Sequence, residues 1–189
     1  MPLFFSDFDS EKMAFVEPGD TVRRQVGFPA VAVSTFSGDI VEDYVRACHP
    51  PEIARLYTAN GSLPVYRAEY KGRKIALFVS RVGAPACVAG LEEIIAMGAR
   101  KIVLFGCCGV LNESATRGKI IVPTSAVRDE GTSQYYFPYS EEIEADKNCI
   151  KTAADLLSEH KIPFVCGKVW TSDAIYRETP ALIAKRKAQ

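Results

Sequence analysis

The sequence lacks several features that mark common functional classes. Lysine and arginine total 23, and aspartate and glutamate also total 23, so there is no excess of positive charge for nucleic acid or an anionic membrane surface. No apolar run approaches the roughly 18 residues that a membrane-spanning helix needs, and the N-terminus has no basic segment before its apolar residues. We therefore expect a cytoplasmic protein that binds neither nucleic acid nor membranes.

Patterns for metal binding and disulfides are also missing. The chain has six cysteines and two histidines but no Cys-x-x-Cys pair, and both histidines lie far in sequence from the adjacent Cys107 and Cys108. Adjacent cysteines do not readily close a relaxed disulfide, because one peptide holds their Cα atoms too close together. We therefore predict no metal site and interpret the cysteines as buried small hydrophobic residues in a reducing compartment.

Two familiar catalytic motifs are absent as well. No Gly-x-Gly-x-x-Gly follows an apolar run, which disfavours a dinucleotide-binding domain, and no Gly-x-Ser-x-Gly is present, which disfavours a serine hydrolase. With 189 residues, of which 48% are hydrophobic, the chain is long enough to form one globular domain. A chain of this size buries about 70% of its unfolded surface, and we predict a single domain over residues 1–189.

The informative stretch lies between Lys74 and Tyr136, where short apolar runs end in polar or glycine-bearing loops. Such runs are typical of buried parallel strands, and a helix-period segment between two of them is typical of a crossover. In open α/β sheets, ligands bind outside the carboxyl ends of the strands, so we expect the site there. The loops at these ends are 81–85, 106–109 and 128–134.

Local signals define the elements around these loops. A helix after Gly83 is predicted to begin near Pro85 and to end at Gly98, with Val88, Leu91, Ile94 and Ile95 facing the sheet. Alternating residues on both sides of Lys71-Gly72 predict an antiparallel hairpin. A hairpin together with a parallel crossover implies a mixed sheet. A second helix is predicted to begin near Asp146, and an apolar run follows at 164–170.

The loop after Ser80 combines an arginine, backbone amides and a helix N-terminus, which is the physical recipe for an anion site. Arg81 could grip phosphate with two parallel hydrogen bonds, although a glycine-bearing loop is also the ordinary way for a crossover to turn. The aromatic segment 135–137 is equally compatible with core, pocket wall or interface.

Taken in order, these segments resemble the nucleoside phosphorylase family, which includes uridine phosphorylase and hexameric purine nucleoside phosphorylase. The resemblance runs from about residue 30 to the C-terminus. It implies a three-layer α/β sandwich with a central mixed β-sheet, and phosphorolytic cleavage of the N-glycosidic bond of a purine or pyrimidine nucleoside. The segments that carry it are Ser80–Pro85, Leu91–Ile94, Met97–Lys101, Gly106–Leu111, Gly118–Thr124, Ala126–Ser133 and Thr171–Glu178.

The resemblance also implies which residues form the site. Gly38 matches a glycine of the family's phosphate loop, and Cys108 stands where a threonine would touch phosphate and ribose, so we predict a phosphate site from these two with Arg81 and Gly83. We expect Cys107 and Cys108 to act neither as nucleophiles nor as metal ligands, since phosphate or water attacks the ribose, and Cys108 only to line the ribose–phosphate side of the pocket. The predicted ribose and base pocket comprises Cys107, Gly109, Ile175, Tyr176, Arg177 and Glu178.

Further expectations follow from the same resemblance. Inorganic phosphate is a co-substrate, no cofactor is needed, and the chain forms a homo-oligomer, a dimer or a dimer-based hexamer, in which each site borrows residues from a neighbour. The sequence departs from the family at three cations: Leu104 replaces an arginine, none follows Gly38, and the position of the arginine lent by a neighbour falls near Gly61. Arg81 is the only obvious substitute.

The family's ribose-binding glutamate follows the helix that matches 179–187, so its counterpart would lie beyond Gln189. We therefore expect a chain that lacks the C-terminal part of the family pattern and has little or no activity, and we assign no catalytic residue. Two alternatives stay open. One is a hydrolytic nucleosidase of the same fold, and the other is a non-catalytic remnant that binds nucleoside.

Overall fold

The computed structural model describes residues 8–189. The N-terminal apolar residues that the sequence analysis considers lie mostly outside these described residues. Two compact units make up the described chain. The first is Glu11–Cys107, and the second is Cys108–Gln189 together with the described residues before Glu11. Each unit contains its own sheet.

The first unit is built on a five-stranded mixed sheet with the order β2-β3-β4-β1-β5. Strand β1 is parallel to β4 and β5, whereas β3 is antiparallel to β2 and β4. The predicted mixed α/β fold is therefore confirmed. The strands are β1 (Val31–Thr35), β2 (Glu52–Thr58), β3 (Gly61–Tyr70), β4 (Arg73–Val79) and β5 (Lys101–Phe105).

The β3–β4 hairpin forms where the sequence predicts it. Lys71 has φ 48° and Gly72 has φ 73°, the two left-handed positions of a tight hairpin turn. This turn fixes the register in which Tyr70 pairs with Arg73. Because β4 then continues parallel to β1, the hairpin adds β2 and β3 to the outer side of the parallel strands.

Three helices belong to the first unit: α1 (Pro18–Thr21), α2 (Gly38–Cys48) and α3 (Ala84–Met97). The longest, α3, has proline in its first turn and ends at Gly98, whose φ of 142° suits glycine. The predicted inward face is only partly right. Ile94 is buried, but Ile95 is 47% exposed, because each helical step rotates by about 100° and the buried direction continues to Met97 instead.

The core of the first unit lies between the sheet and α3. Burying each large apolar side chain contributes about 1.5–3 kcal/mol, so this cluster holds the helix on the strands. The cluster consists of Ala32, Leu56, Val65, Ala76, Phe78, Ile94, Met97 and Ala99.

The second unit contains a three-stranded sheet with the order β7-β6-β8, in which β6 is parallel to β8 and antiparallel to β7. Its strands are β6 (Ile120–Asp129), β7 (Glu142–Glu144) and β8 (Phe164–Ser172), and its helices are α4 (Glu113–Thr116), α5 (Lys147–Glu159) and α6 (Pro180–Lys187). Helix α5 begins where the sequence predicts it, because the Asp146 carboxylate accepts a hydrogen bond from Cys149 N at 2.9 Å.

The predicted burial of the cysteines is wrong. Five of the six are exposed and Cys87 is half-buried. The reason is position: a small side chain is buried only where its element faces the core, and these five lie on loops or on outward faces. Among the described residues, no three His, Cys, Asp or Glu side chains gather as a metal site. No helix of the described chain is long and apolar enough to cross a membrane.

Candidate functional site

Three parallel strands of the first unit end side by side. Thr35, in β1, pairs with Val79 of β4 on one side and with Phe105 of β5 on the other. The loops that follow these three strands carry Gly38, Gly83 and the Gly106-Cys107 pair. The structure therefore brings these sequence-predicted residues to one edge of the sheet.

Buried hydroxyl groups join two of these strand ends. The Ser34 and Ser80 hydroxyl oxygens lie 2.7 Å apart, and the Ser34 hydroxyl also donates to Phe78 O at 3.2 Å. In the backbone, Ser80 N donates to Thr35 O at 2.8 Å. Ser37 N donates to the Thr35 hydroxyl at 3.2 Å, so both loops leave the sheet from a fixed frame.

Two helix N-termini open onto this edge. Helix α2 starts at Gly38, directly after β1, and α3 starts at Ala84, directly after β4. The first amides of a helix have no partner within the helix and carry a partial positive charge, which favours an anion. Gly83 has φ 101°, a conformation that favours glycine, and an added Cβ there would meet no atom within 4 Å. The space beside Gly83 is open.

The guanidinium of Arg81 is held by the β2–β3 turn. One of its terminal nitrogens donates to Gly61 O at 2.8 Å and lies 3.5 Å from Leu56 O. Burial raises the pKa of Glu93, on α3, against the opposing effect of the Arg81 charge. Arg81 therefore braces a hairpin as well as standing beside Gly83, and its contact with phosphate stays a prediction.

Gly106 lies against Phe36, the first residue after β1. A Cβ on Gly106 would come within 2.8 Å of Phe36 Cδ2, closer than real carbon atoms pack. Unless the Phe36 ring shifts, only glycine fits at this position after β5. Leu104, just before this loop, is 40% exposed, and Cys107 is exposed.

The remaining predicted residues belong to the second unit. Cys108 and Gly109 open that unit directly after Cys107, and Cys108 is exposed. Ile175, Tyr176 and Arg177 form a single 3₁₀ turn between β8 and α6, with Glu178 after it. Ile175 is 66% exposed and Tyr176 is 94% exposed.

Arg128 organises the loop after β6, although sequence reasoning gave it no role. Its side chain is buried and makes five hydrogen bonds to the segment that follows. The acceptors are the Ser133 hydroxyl and carbonyl, the Phe137 and Pro138 carbonyls and the Ser140 hydroxyl. The exposed aromatic segment 135–137 is therefore held by a buried charge rather than by packing of its own rings.

Asp129 links three elements of the second unit. Its Oδ2 accepts from Trp170 Nε1 at 3.0 Å and from Arg186 at 2.8 Å, and the guanidinium also lies over the Trp170 ring, 5.5 Å from its centroid. Partial burial works to raise the pKa of Asp129, but hydrogen bonds from Arg186 and Trp170, with the charges of Arg186 and Lys185, lower it overall. The only sequence signal for this contact is the motif at 126–133.

Comparison with known proteins identifies the family. The family model described as the phosphorylase superfamily matches residues 30–189. The chain therefore belongs to the phosphorylase superfamily, as the sequence resemblance implies.

Individual relatives are distant. Purine nucleoside phosphorylase DeoD-type 2 of Vibrio cholerae is 24% identical over 172 residues, which cover 90% of this chain and 65% of the relative. Guanosine phosphorylase of Halorubrum lacusprofundi is 25% identical over 130 residues, covering 67% of this chain and 52% of the relative. The chain thus spans between about half and two thirds of the length of these relatives.

Solved structures share the fold. A purine nucleoside phosphorylase from Toxoplasma gondii, in complex with immucillin-H, aligns with a TM-score of 0.72 at 21% identity, covering 85% of this chain and 65% of that one. A uridine phosphorylase from Vibrio fischeri aligns with a TM-score of 0.72 at 23% identity, covering 88% and 69%. The chain therefore shares its mixed α/β fold with these two structures.

Proposed function

We propose that the protein is a nucleoside phosphorylase that uses inorganic phosphate to cleave the N-glycosidic bond of a purine or pyrimidine nucleoside. The observation that carries the proposal is the edge at which α2 and α3 begin beside the end of β5. Amides of two helix N-termini suit an oxyanion, and open space lies beside Gly83. The names of the relatives supply the substrate class.

The reaction needs little covalent chemistry from the chain. A phosphate oxygen bonds to the anomeric carbon of the ribose while the C–N bond breaks, and the base leaves with the bonding electrons and takes up a proton. The protein must hold phosphate and nucleoside in line, and orientation of this kind supplies about 7–11 kcal/mol of a barrier. Neither cysteine thiolate nor metal is required by this scheme.

The proposed phosphate site consists of Gly38, Arg81, Gly83 and Cys108. The proposed ribose and base pocket consists of Cys107, Gly109, Ile175, Tyr176, Arg177 and Glu178. We further propose a cytoplasmic homo-oligomer. Exposed Val103, Leu104 and Phe105 on the edge strand β5 support self-association, because unpaired apolar edges favour contact with another chain.

Hydrolysis is the second candidate, and one observation favours it. Leu104 occupies the place of a family arginine, and Arg81 already donates to the Gly61 carbonyl. A site with fewer free cations binds phosphate less tightly and leaves room for water as the attacker.

An assay of base release distinguishes phosphorolysis from hydrolysis. Inosine or uridine is mixed with an excess of the chain, and the free base is measured. Phosphorolysis predicts release in phosphate buffer and none in a phosphate-free buffer of equal ionic strength. Equal release in both buffers would replace the proposal with hydrolysis. No release in either buffer would favour the alternative of a non-catalytic chain that binds nucleoside.

A further inference from the structure

We infer that Asp129 is a positioning residue that, with the backbone of Gly131, fixes both ends of the segment 173–186. The inference rests on the proposed function, because this segment contains the four residues 175–178 of the proposed base pocket. In the structure, two contacts hold this segment, one at each end. Nothing in the residue types of 175–178 explains how such exposed side chains would keep one position.

The first contact holds the start of the segment. Gly131 N donates to Asp173 Oδ2 at 3.0 Å, although the two residues are 42 positions apart. Asp173 directly follows β8, and Gly131 lies just after the end of β6. Because β6 and β8 are parallel neighbours, with Asp129 paired to Ser172, the bond ties two adjacent strand ends together.

The second contact holds the end of the segment. Arg186, in the last turn of α6, donates to Asp129 Oδ2 at 2.8 Å, and its side chain is only 10% exposed. Arg186 also donates to the Gln189 side chain, only three residues away, at 3.0 Å. The Arg186 Nε is buried, and no described residue accepts its hydrogen. Asp129 is therefore the acceptor that anchors this buried cation to the sheet.

Trp170 strengthens the second contact from β8. Its Nε1 donates to the same Asp129 oxygen, and its ring lies beneath the Arg186 guanidinium. A cation over an aromatic face adds attraction to the charged hydrogen bond. Asp129, Trp170 and Arg186 thus form one cluster from β6, β8 and α6.

The twelve residues between the two contacts depend on them. Tyr176 is 94% exposed and Ile175 is 66% exposed, so their own packing does not set their position. Leu182 N donates to the Thr179 hydroxyl at 3.3 Å within the segment, and Ala174 N donates to the Ser172 hydroxyl at 3.3 Å beside the first contact, so neither bond ties the middle of the segment to the sheet. Loss of the Asp129 carboxylate should therefore loosen 174–185 while β6 and β8 stay intact.

Hydrogen–deuterium exchange of the whole chain tests this directly. Asp129→Asn keeps the side-chain shape and removes the charge. The control Asp155→Asn removes an exposed helix carboxylate paired with Lys151 at 2.5 Å in the same unit. We expect amides of 174–185 to exchange about tenfold faster in D129N. The reason is that loss of a charged hydrogen bond should raise the equilibrium constant for local opening about tenfold. The exchange rates of amides in β6 and β8 should not change in D129N. In D155N, the exchange rates of all these segments should match those of the parent chain.

Coupling through Arg186 is tested by R186Q and the double variant D129N/R186Q. If Asp129 acts through Arg186, the double variant exchanges no faster in 174–185 than the quicker single variant. Additive acceleration would overturn the inference, and so would unchanged exchange in D129N or equal acceleration in β6 and β8. Should D129N fail to fold, R186Q alone carries the same expectation.

Calorimetric titration distinguishes failure of this inference from failure of the proposed function. With inosine, uridine and inorganic phosphate as probes, D129N should weaken binding of the nucleoside and leave phosphate binding unchanged. An equal loss of nucleoside binding and of phosphate binding would show a general structural effect and overturn a positioning role. If the parent chain binds neither nucleoside, the proposed function fails, while hydrogen exchange still decides whether Asp129 fixes the segment.

Discussion

The hydroxyl oxygens of Ser34 and Ser80 lie 2.7 Å apart in the interior of the first unit, and they join the carboxyl ends of β1 and β4. Both side chains are buried, at 0% and 5% exposure. Since the Ser34 hydroxyl donates to Phe78 O, it accepts the hydrogen of Ser80. This pair fixes the spacing from which the loops of Gly38 and Gly83 depart.

Ser34→Ala should destabilise the chain by removing the hydrogen bonds that the Ser34 hydroxyl makes with the Ser80 hydroxyl and with Phe78 O. Each such bond contributes about 0.5–1.5 kcal/mol, so the loss should be about 1–3 kcal/mol, which urea titration resolves. The double variant S34A/S80A should cost little more than S34A alone. Ser114→Ala, which removes an exposed hydroxyl bonded to Asn112, is the control and should change little. Fully additive losses from Ser34 and Ser80 would contradict this account.

Gly106→Ala should destabilise the chain because the new methyl group would collide with Phe36. Forced overpacking costs about 1–3 kcal/mol in the free energy of unfolding. Gly109→Ala is the matched control from the same loop, since a Cβ there meets no atom within 4 Å. The added change Phe36→Ala should relieve part of the strain in G106A. Equal stability of G106A and G109A would show that the close approach is absent in solution.

Sequence patterns predict the elements whose signals are local. Helix α3 is bounded by Pro85 and Gly98, and the β3–β4 hairpin by Lys71-Gly72, so each carries its own start and stop. The sequence does not predict strand β2, because this strand depends on pairing with β3 and has no comparable turn signal of its own.

Sequence patterns predict only part of the candidate site. The predicted parallel crossover brings the loops after β4 and β5 to the same edge, but no sequence signal places β1 between these two strands. Long-range contacts are different. The bond from Arg81 to Gly61 spans 20 residues and that from Arg186 to Asp129 spans 57, and no spacing rule connects such residues. Burial of Arg128 likewise depends on the carbonyl groups of Ser133 and Pro138, which no local signal connects to it.

Arg81→Ala should raise the phosphate concentration needed for half-maximal base release. A hydrogen bond to a charged group contributes about 1.5–3 kcal/mol, which corresponds to about ten- to hundredfold in concentration. Arg73→Ala is the control, because it removes the same charge from the opposite end of β4. If R81A lowers stability through the loss of its Gly61 contact but keeps the parental phosphate dependence, Arg81 is only a brace for the hairpin.

Cys108→Ser should retain base release, because the proposed attack on the ribose uses phosphate rather than a thiolate. Cys107→Ser should behave in the same way. The parent chain should also purify without stoichiometric zinc, as measured by elemental analysis. Loss of release in C108S, with an unchanged unfolding midpoint, would assign the thiol a chemical role that the proposal excludes.

The most direct test of the central claim is ³¹P NMR of the chain mixed with inosine or uridine and inorganic phosphate. Phosphorolysis predicts that a sugar phosphate ester signal grows as the inorganic phosphate signal falls, with one free base released for each ester formed. Release of base with free ribose and an unchanged phosphate signal would contradict the claim.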